Sequence, residues 1–185
     1  MRFFIALEIP EENKKELEDL EAKLAQIIPN FRPTDSGKLH LTFAFVGEQP
    51  EEWKKPLAEV IKQAVIGIKP FDITPAYLDG FPNLHHARIF WVSIKGDIDK
   101  LYILKERLKD GLAKLGLPSD ERRFVPHIAL GKVKNFTLTP DQEKEFEKID
   151  FGSLSEVRVS SVKLFESIPG HGFHKHNTLE TAELA

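Results

Sequence analysis

The 185-residue chain has no cysteine. Disulfides, thiolate nucleophiles and cysteine-ligated zinc or iron–sulfur centres are therefore outside its chemistry. It also lacks a large charge excess, since 26 lysine and arginine residues stand against 29 aspartate and glutamate for a formal net charge of −3. Coating of long nucleic acid by bulk electrostatics is disfavoured. No apolar run approaches the ~20 residues of a membrane-spanning helix. The apolar start of the chain is interrupted at Glu8 and is too short for a signal peptide. Long linkers, low-complexity tracts and short repeats are missing as well. A cytoplasmic protein with no membrane partner, monomeric, is the expectation.

What is present is ordinary globular material, 41% hydrophobic and 30% charged, in a chain long enough to bury a core without staples. Charge is distributed unevenly on the local scale. From Arg122 to Pro140 the charged residues are Arg122, Arg123, Lys132 and Lys134, all basic. Between Pro29 and Gly47, Arg32 and Lys38 are opposed only by Asp35. Small anionic groups suit such a chain better than long grooves do.

Two segments at the centre of these stretches, His40-Leu41-Thr42-Phe43 and His127-Ile128-Ala129-Leu130, each place a histidine at the head of an alternating run. In a strand, successive side chains point to opposite faces. Leu41, Phe43 and Phe45 then form a core face, with His40, Thr42 and Ala44 opposite. Similarly, Ile128 and Leu130 turn inward, opposite His127, Ala129 and Gly131. Packing one side of each strand thus aims the chemical side. Imidazole titrates near neutral pH, so a facing pair can supply one base and one acid in a single site.

Apolar spacing predicts the remaining elements. Residues 2–9 read as a strand, followed after Pro10 by a helix with Leu17, Leu20, Leu24, Ile27 and Ile28 in register, stopped by Pro29 and Pro33. A second helix follows Pro50, with Trp53, Leu57, Val60, Ile61 and Ala64 on one stripe. Residues 71–80 and 87–95 read as a hairpin joined through Gly80-Phe81-Pro82-Asn83. A third helix spans 97–115, ended by Gly116 and Pro118, and Thr139-Pro140-Asp141-Gln142 forms a capping box opening a short helix over 140–149. Strand-like runs near 154–167 and 173–183 close the order. The fold class expected is α+β, with two mainly antiparallel sheets facing a central cleft and helices packed outside; residues 1–185 read as one bilobal domain.

Other histidines and aromatics have plainer readings. His171-Gly172-Phe173-His174-Lys175-His176 offers no carboxylate or cysteine ligand within the run, so a solvated turn is expected and no metal. His174 or His176 could line the cleft. His85 and His86 fall in the hairpin turn, and Trp53 and Trp91 read as core.

Arg2-Phe3-Phe4-Ile5-Ala6, Leu39-His40-Leu41-Thr42-Phe43 with Gly47-Glu48, Gly80-Phe81-Pro82-Asn83 with Ala87-Arg88-Ile89-Phe90-Trp91, and Phe124-Val125-Pro126-His127 occur in this order and spacing. Together they resemble the two-histidine (2H) phosphoesterase superfamily, in its bacterial and archaeal 2′-5′ RNA ligase-like branch, whose members are RNA 2′,3′-cyclic phosphodiesterases. The resemblance spans nearly the full length. It implies hydrolysis of an RNA 2′,3′-cyclic phosphate to a 2′-phosphate, with His127 as proton acceptor and His40 as proton donor, Thr42 and Lys132 holding phosphate oxygens, and no cofactor. RNA ends or oligonucleotides would be the substrate, and the reverse step would be 2′-5′ ligation.

One departure stands out, because Ala129 occupies the place where the family has threonine or serine. A lost hydrogen bond to a charged partner costs about 1.5–3 kcal/mol, against roughly 10²–10⁴-fold for a lost acid–base histidine. Retuning rather than abolition is expected. Lys132 stands where the family commonly has arginine, a point charge instead of a fork. Two alternatives remain open: an RNA- or nucleotide-binding module with weak or no turnover, and a phosphodiesterase for a small cyclic nucleotide.

Overall fold

A computed structural model describes residues 1–117, 123–170 and 174–185. Pro118, Arg122 and His171-Gly172-Phe173, which the sequence assigned to a helix stop, the basic stretch and a turn, lie outside the described residues. The elements are β1 (Arg2–Glu8), α1 (Glu11–Ile27), β2 (Arg32–Pro33), β3 (His40–Glu48), α2 (Lys54–Ala64), β4 (Phe71–Phe81), β5 (Ile89–Gly96), α3 (Ile98–Lys114), β6 (His127–Lys132), α4 (Pro140–Glu147), β7 (Val157–Val159), β8 (Ser161–Pro169) and β9 (His174–Glu183). They form two sheets, ordered β3-β1-β8-β9 and β2-β6-β5-β4-β7. The described pairings are antiparallel throughout. This is the α+β, two-sheet architecture that the alternating strands predict. No described helix is long and apolar enough to cross a membrane.

β1 lies between β3 and β8, which explains its continuous apolar run: Phe3, Ile5 and Leu7 enter the main core while Phe4 and Ala6 form a separate small cluster with Phe165 on the opposite face. The helices cover the core faces. α1 packs against β2 and β6, α2 against β8 and β9, and α3 against α2 and β3. Thr139 accepts from the Gln142 backbone N–H while the Gln142 side chain accepts from the Thr139 N–H, completing the capping box before α4. Trp53 packs against the core, and His85 and His86 are exposed.

Three features differ from the alternation read in the sequence. Residues 154–167 are not one strand, because the chain changes sheets at Ser160: β7 pairs with β4, and β8 with β1 and β9. In β3, Ala6 faces Thr42 but Ile5 faces Ala44, and Phe4 faces Phe45 but Phe3 faces Gly47, so Phe43 and Val46 are extra residues. Each bulge flips the pattern. Ala44 turns toward the core and Phe45 out of it, 80% exposed. In β6, Phe90 faces Gly131 but Trp91 faces Ala129, leaving Leu130 extra. Gly131 therefore faces the core instead of the histidine side. A Cβ there would lie 2.5 Å from the Arg32 carbonyl oxygen and against the Phe31 ring, so only glycine fits.

One buried group runs against the hydrophobic logic of α1. Glu21 is 4% exposed and its Oε1 has no hydrogen-bond partner, and burial, with Glu18 and Asp35 nearby, pushes its carboxyl up to about 8. The unfolded chain releases this proton from about pH 4.5 upward while the folded chain keeps it, so stability falls as pH rises between about 4.5 and 8. Glu21→Gln should raise stability by about 1–3 kcal/mol at pH 8 and change little at pH 4, checked by thermal melts at both values.

Candidate active site

The face of the first sheet turned away from the main core has an aromatic floor. Phe4 and Phe165 stack with centroids 5.0 Å apart, and His40 lies against both, at 5.8 Å and 4.6 Å. His176, on β9, stacks on His40 at 5.3 Å and 27° and meets Phe4 edge-on at 4.8 Å. Thus His176 belongs to a strand separated from β3 by β1 and β8, its ring reaching His40, and not to a solvated turn. Glu8 faces His40 across the β1–β3 ladder and is ion-paired with Lys163, whose hydrogen bond holds the Glu8 carboxyl below its usual range. Thr42 shares the His40 face, since its ladder partner is Ala6.

His40 is only 8% exposed. Burial pushes its imidazole down to about 4, helped by His176, Lys14 and Lys163 and opposed by the Glu8 carboxylate. The protein's own groups therefore keep this ring neutral at pH 7. An anion brought beside it would reverse part of that shift.

The second sheet repeats the arrangement with different residues. His127 heads β6 opposite Ser93, with Phe81 at 5.1 Å and Trp91 at 5.4 Å, and those two rings stack on each other at 4.8 Å. Trp91 is buried, as read, but it lies under His127 and outside the main core cluster. His127 Nδ1 lies 2.7 Å from the Val125 carbonyl oxygen. In the neutral ring that nitrogen must carry the proton and donate, which leaves Nε2 as a lone pair. Burial lowers the His127 pKa, and the Val125 hydrogen bond opposes the shift.

The bulge at Leu130 decides where Lys132 goes. Strict alternation would put it opposite His127, but its ladder partners are Ile89, on the Trp91 side of β5, and Arg32 of β2. Lys132 and Arg32 thus share the His127 face. Ala129, facing Trp91 across the ladder, brings a methyl group, with no hydrogen-bond donor, to this face.

The two walls meet along β3 and β6, which approach within 8 Å between Cα atoms where the sheets adjoin. The junction is closed by Phe43 of β3 against Phe124, 5.9 Å between rings, three residues before His127. Lys105 of α3 reinforces it, donating to the Phe43 carbonyl at 2.5 Å and lying 5.4 Å over the Phe124 ring. His40, with His176 stacked on it, and His127, with its defined lone pair, thus lie on the sides of adjoining sheets turned away from the main core. Among the described residues no three His, Cys, Asp or Glu side chains gather as metal ligands.

Of the residues that the sequence singles out, His40 and Thr42 share one face of the first sheet and His127 and Lys132 one face of the second, and His176, an open alternative in the sequence, stacks on His40. The sequence offers no sign of Glu8 and Lys163 beside His40. His176, Glu8 and Lys163 each touch His40's environment through a ladder between strands distant in the chain, so local spacing carries no signal for them.

Comparison with known proteins matches residues 35–169 to the 2′-5′ RNA ligase superfamily model. The chain is 34% identical over 168 residues to an RNA 2′,3′-cyclic phosphodiesterase of Thermotoga maritima, covering 90% of this chain and 87% of that one. It is 29% identical over 170 residues to one from Methanocaldococcus jannaschii, covering 90% and 91%. In fold it is similar to TT0787 of Thermus thermophilus, with a TM-score of 0.79 at 23% identity over 100% of this chain and 98% of that one. E. coli LigT complexed with 3′-AMP gives 0.77 at 24% identity, over 99% and 97%.

The depressed His40 has a measurable signature. As pH falls, the unfolded chain takes up this proton near 6.5 and the folded chain only near 4, so stability present at neutral pH is lost across that window, by roughly 3 kcal/mol. NMR titration of the imidazole should show a midpoint near 4, moving upward in His176→Gln.

Proposed function

The chain belongs to the 2′-5′ RNA ligase superfamily, and we propose that its histidine pair hydrolyses 2′,3′-cyclic phosphate ends of RNA to 2′-phosphomonoesters by acid–base catalysis without a metal ion. The observation that carries this reading is the His127 hydrogen bond: with Nδ1–H donating to Val125 at 2.7 Å, Nε2 is committed as a proton acceptor. The relatives' activity supports the choice of substrate.

His127 Nε2 takes a proton from water as its oxygen attacks phosphorus in line with the 3′ oxygen. The bond from phosphorus to O3′ breaks, and His40 gives its proton to that oxygen, leaving a free 3′ hydroxyl and a 2′-phosphate. Thr42 and Lys132 hold the non-bridging oxygens and favour the charge of the transition state. Proton economy fits the anionic substrate. His40 is neutral among the protein's own groups and gains affinity for a proton when the phosphodiester charge enters, with Glu8 on the same side. With the 5′ hydroxyl of a second RNA attacking in place of water, the same loss of O3′ would leave a 2′-5′ linkage, and attack of O3′ with release of that 5′ oxygen is its reversal. We assign the work to a single bilobal domain, monomeric and cytoplasmic.

Ala129 and the depressed His40 favour a second reading, a nucleotide-binding module with little turnover. Activity on an oligonucleotide ending in a 2′,3′-cyclic phosphate, assayed in EDTA, separates the two. Turnover should survive EDTA and fall roughly 10²–10⁴-fold in His40→Ala and in His127→Ala; binding without turnover would favour the module. Both imidazoles are depressed, so the kcat/KM bell should be centred below the ordinary histidine value of about 6.5. Ala129→Thr should raise kcat/KM about tenfold.

A further inference from the structure

Phe45 is 80% exposed, while Leu41 and Phe43 of the same strand are 0% and 3% exposed. Two bulges turn it out: with Phe43 and Val46 extra, Phe45 pairs with Phe4 instead of continuing the core face. β3 is the edge of its sheet, so nothing in the ladder covers the ring from that side. Its centroid lies 6.2 Å from Phe4 at 34°, and Phe4 lies 5.8 Å from His40. Among the described exposed apolar residues, Phe45 is the one whose ring adjoins the His40 cluster.

We infer that Phe45 is a stacking platform for the nucleobase of the RNA end whose phosphate sits between His40 and His127. The inference rests on the hydrolase reading and adds a subsite to it. A flat ring braced from behind by Phe4, open in front and one aromatic neighbour removed from His40, has the chemistry that holds single-stranded nucleotides. Every base offers a π face, so such a platform binds without reading sequence. An aliphatic group would also bury apolar surface here, but only a planar base matches the open face of a ring tilted 34° against Phe4. Charge is supplied elsewhere, by Lys132 and Arg32 on the opposite wall. The base is thus taken by the first wall alone, while the phosphate is shared between Thr42 on that wall and Lys132 on the other.

Kinetics with two substrates tests the platform. One is a dinucleotide ending in a 2′,3′-cyclic phosphate, and the other is ribose 2′,3′-cyclic phosphate, which keeps the reacting group and lacks the base. Phe45→Ala should raise KM for the dinucleotide roughly tenfold, with kcat nearly unchanged. It should leave the base-free substrate alone, and Phe45→Trp should restore the dinucleotide KM where Phe45→Leu does not. Equal losses on both substrates, a loss confined to kcat, or rescue by leucine would overturn the inference. If the wild type turns over neither substrate, the hydrolase reading fails on its own account. Binding then decides the platform, through quenching of the added tryptophan of Phe45→Trp by adenosine 3′-monophosphate, relative to wild type. Quenching supports stacking, and none at saturation refutes it.

Discussion

Leu41 and Phe43 of β3 pack into the same hydrophobic cluster as Ile128 and Leu130 of β6, although the two strands belong to different sheets. Because side chains alternate, burying these four residues in one core obliges His40 and His127 to occupy the uncovered sides of adjoining sheets. The constraint is steric and apolar, yet its product is a pair of titratable groups. Helices α1, α2 and α3 secure it from behind, and the Phe43–Phe124 contact closes the seam between the strands.

Preorganisation has an electrostatic consequence. Each imidazole rests on aromatic rings, which fix its orientation and strip away water, and both lose proton affinity as a result. The two are not equivalent. A backbone carbonyl holds His127 in one tautomer, while a ring of charged neighbours, Glu8 against Lys14 and Lys163 with His176 beside them, surrounds His40. One ring is set by a fixed dipole and the other by groups that respond to an incoming charge, a division suited to a base and an acid.

Secondary structure was largely legible because it follows apolar spacing: the leucine stripe of α3, the alternation of β3 and the Thr139 capping box all appear where the residues place them. The placement of His40 and His127 on the sides of their strands turned away from the core was legible for the same reason. Bulges were not, since an extra residue leaves no mark on composition or period. Alternation therefore put Phe45 and Gly131 on the wrong faces and Lys132 opposite His127, whereas the ladders reverse all three. The change of sheet at Ser160 was equally hidden, because β7 and β8 are both ordinary alternating strands whose partners lie far away. His176 needed the same knowledge of register.

That change of sheet has a bearing on how the protein is made. The second sheet draws all its strands from the stretch between β2 and β7 and can pair as they emerge, but β1 must wait, one of its edges open, until β8 is synthesised. Until then His40 has no Phe165 or His176 against it. The wall that is encoded first is therefore completed last, and a nascent or C-terminally clipped chain would present an apolar, unpaired β1 edge, a handle for chaperones and proteases.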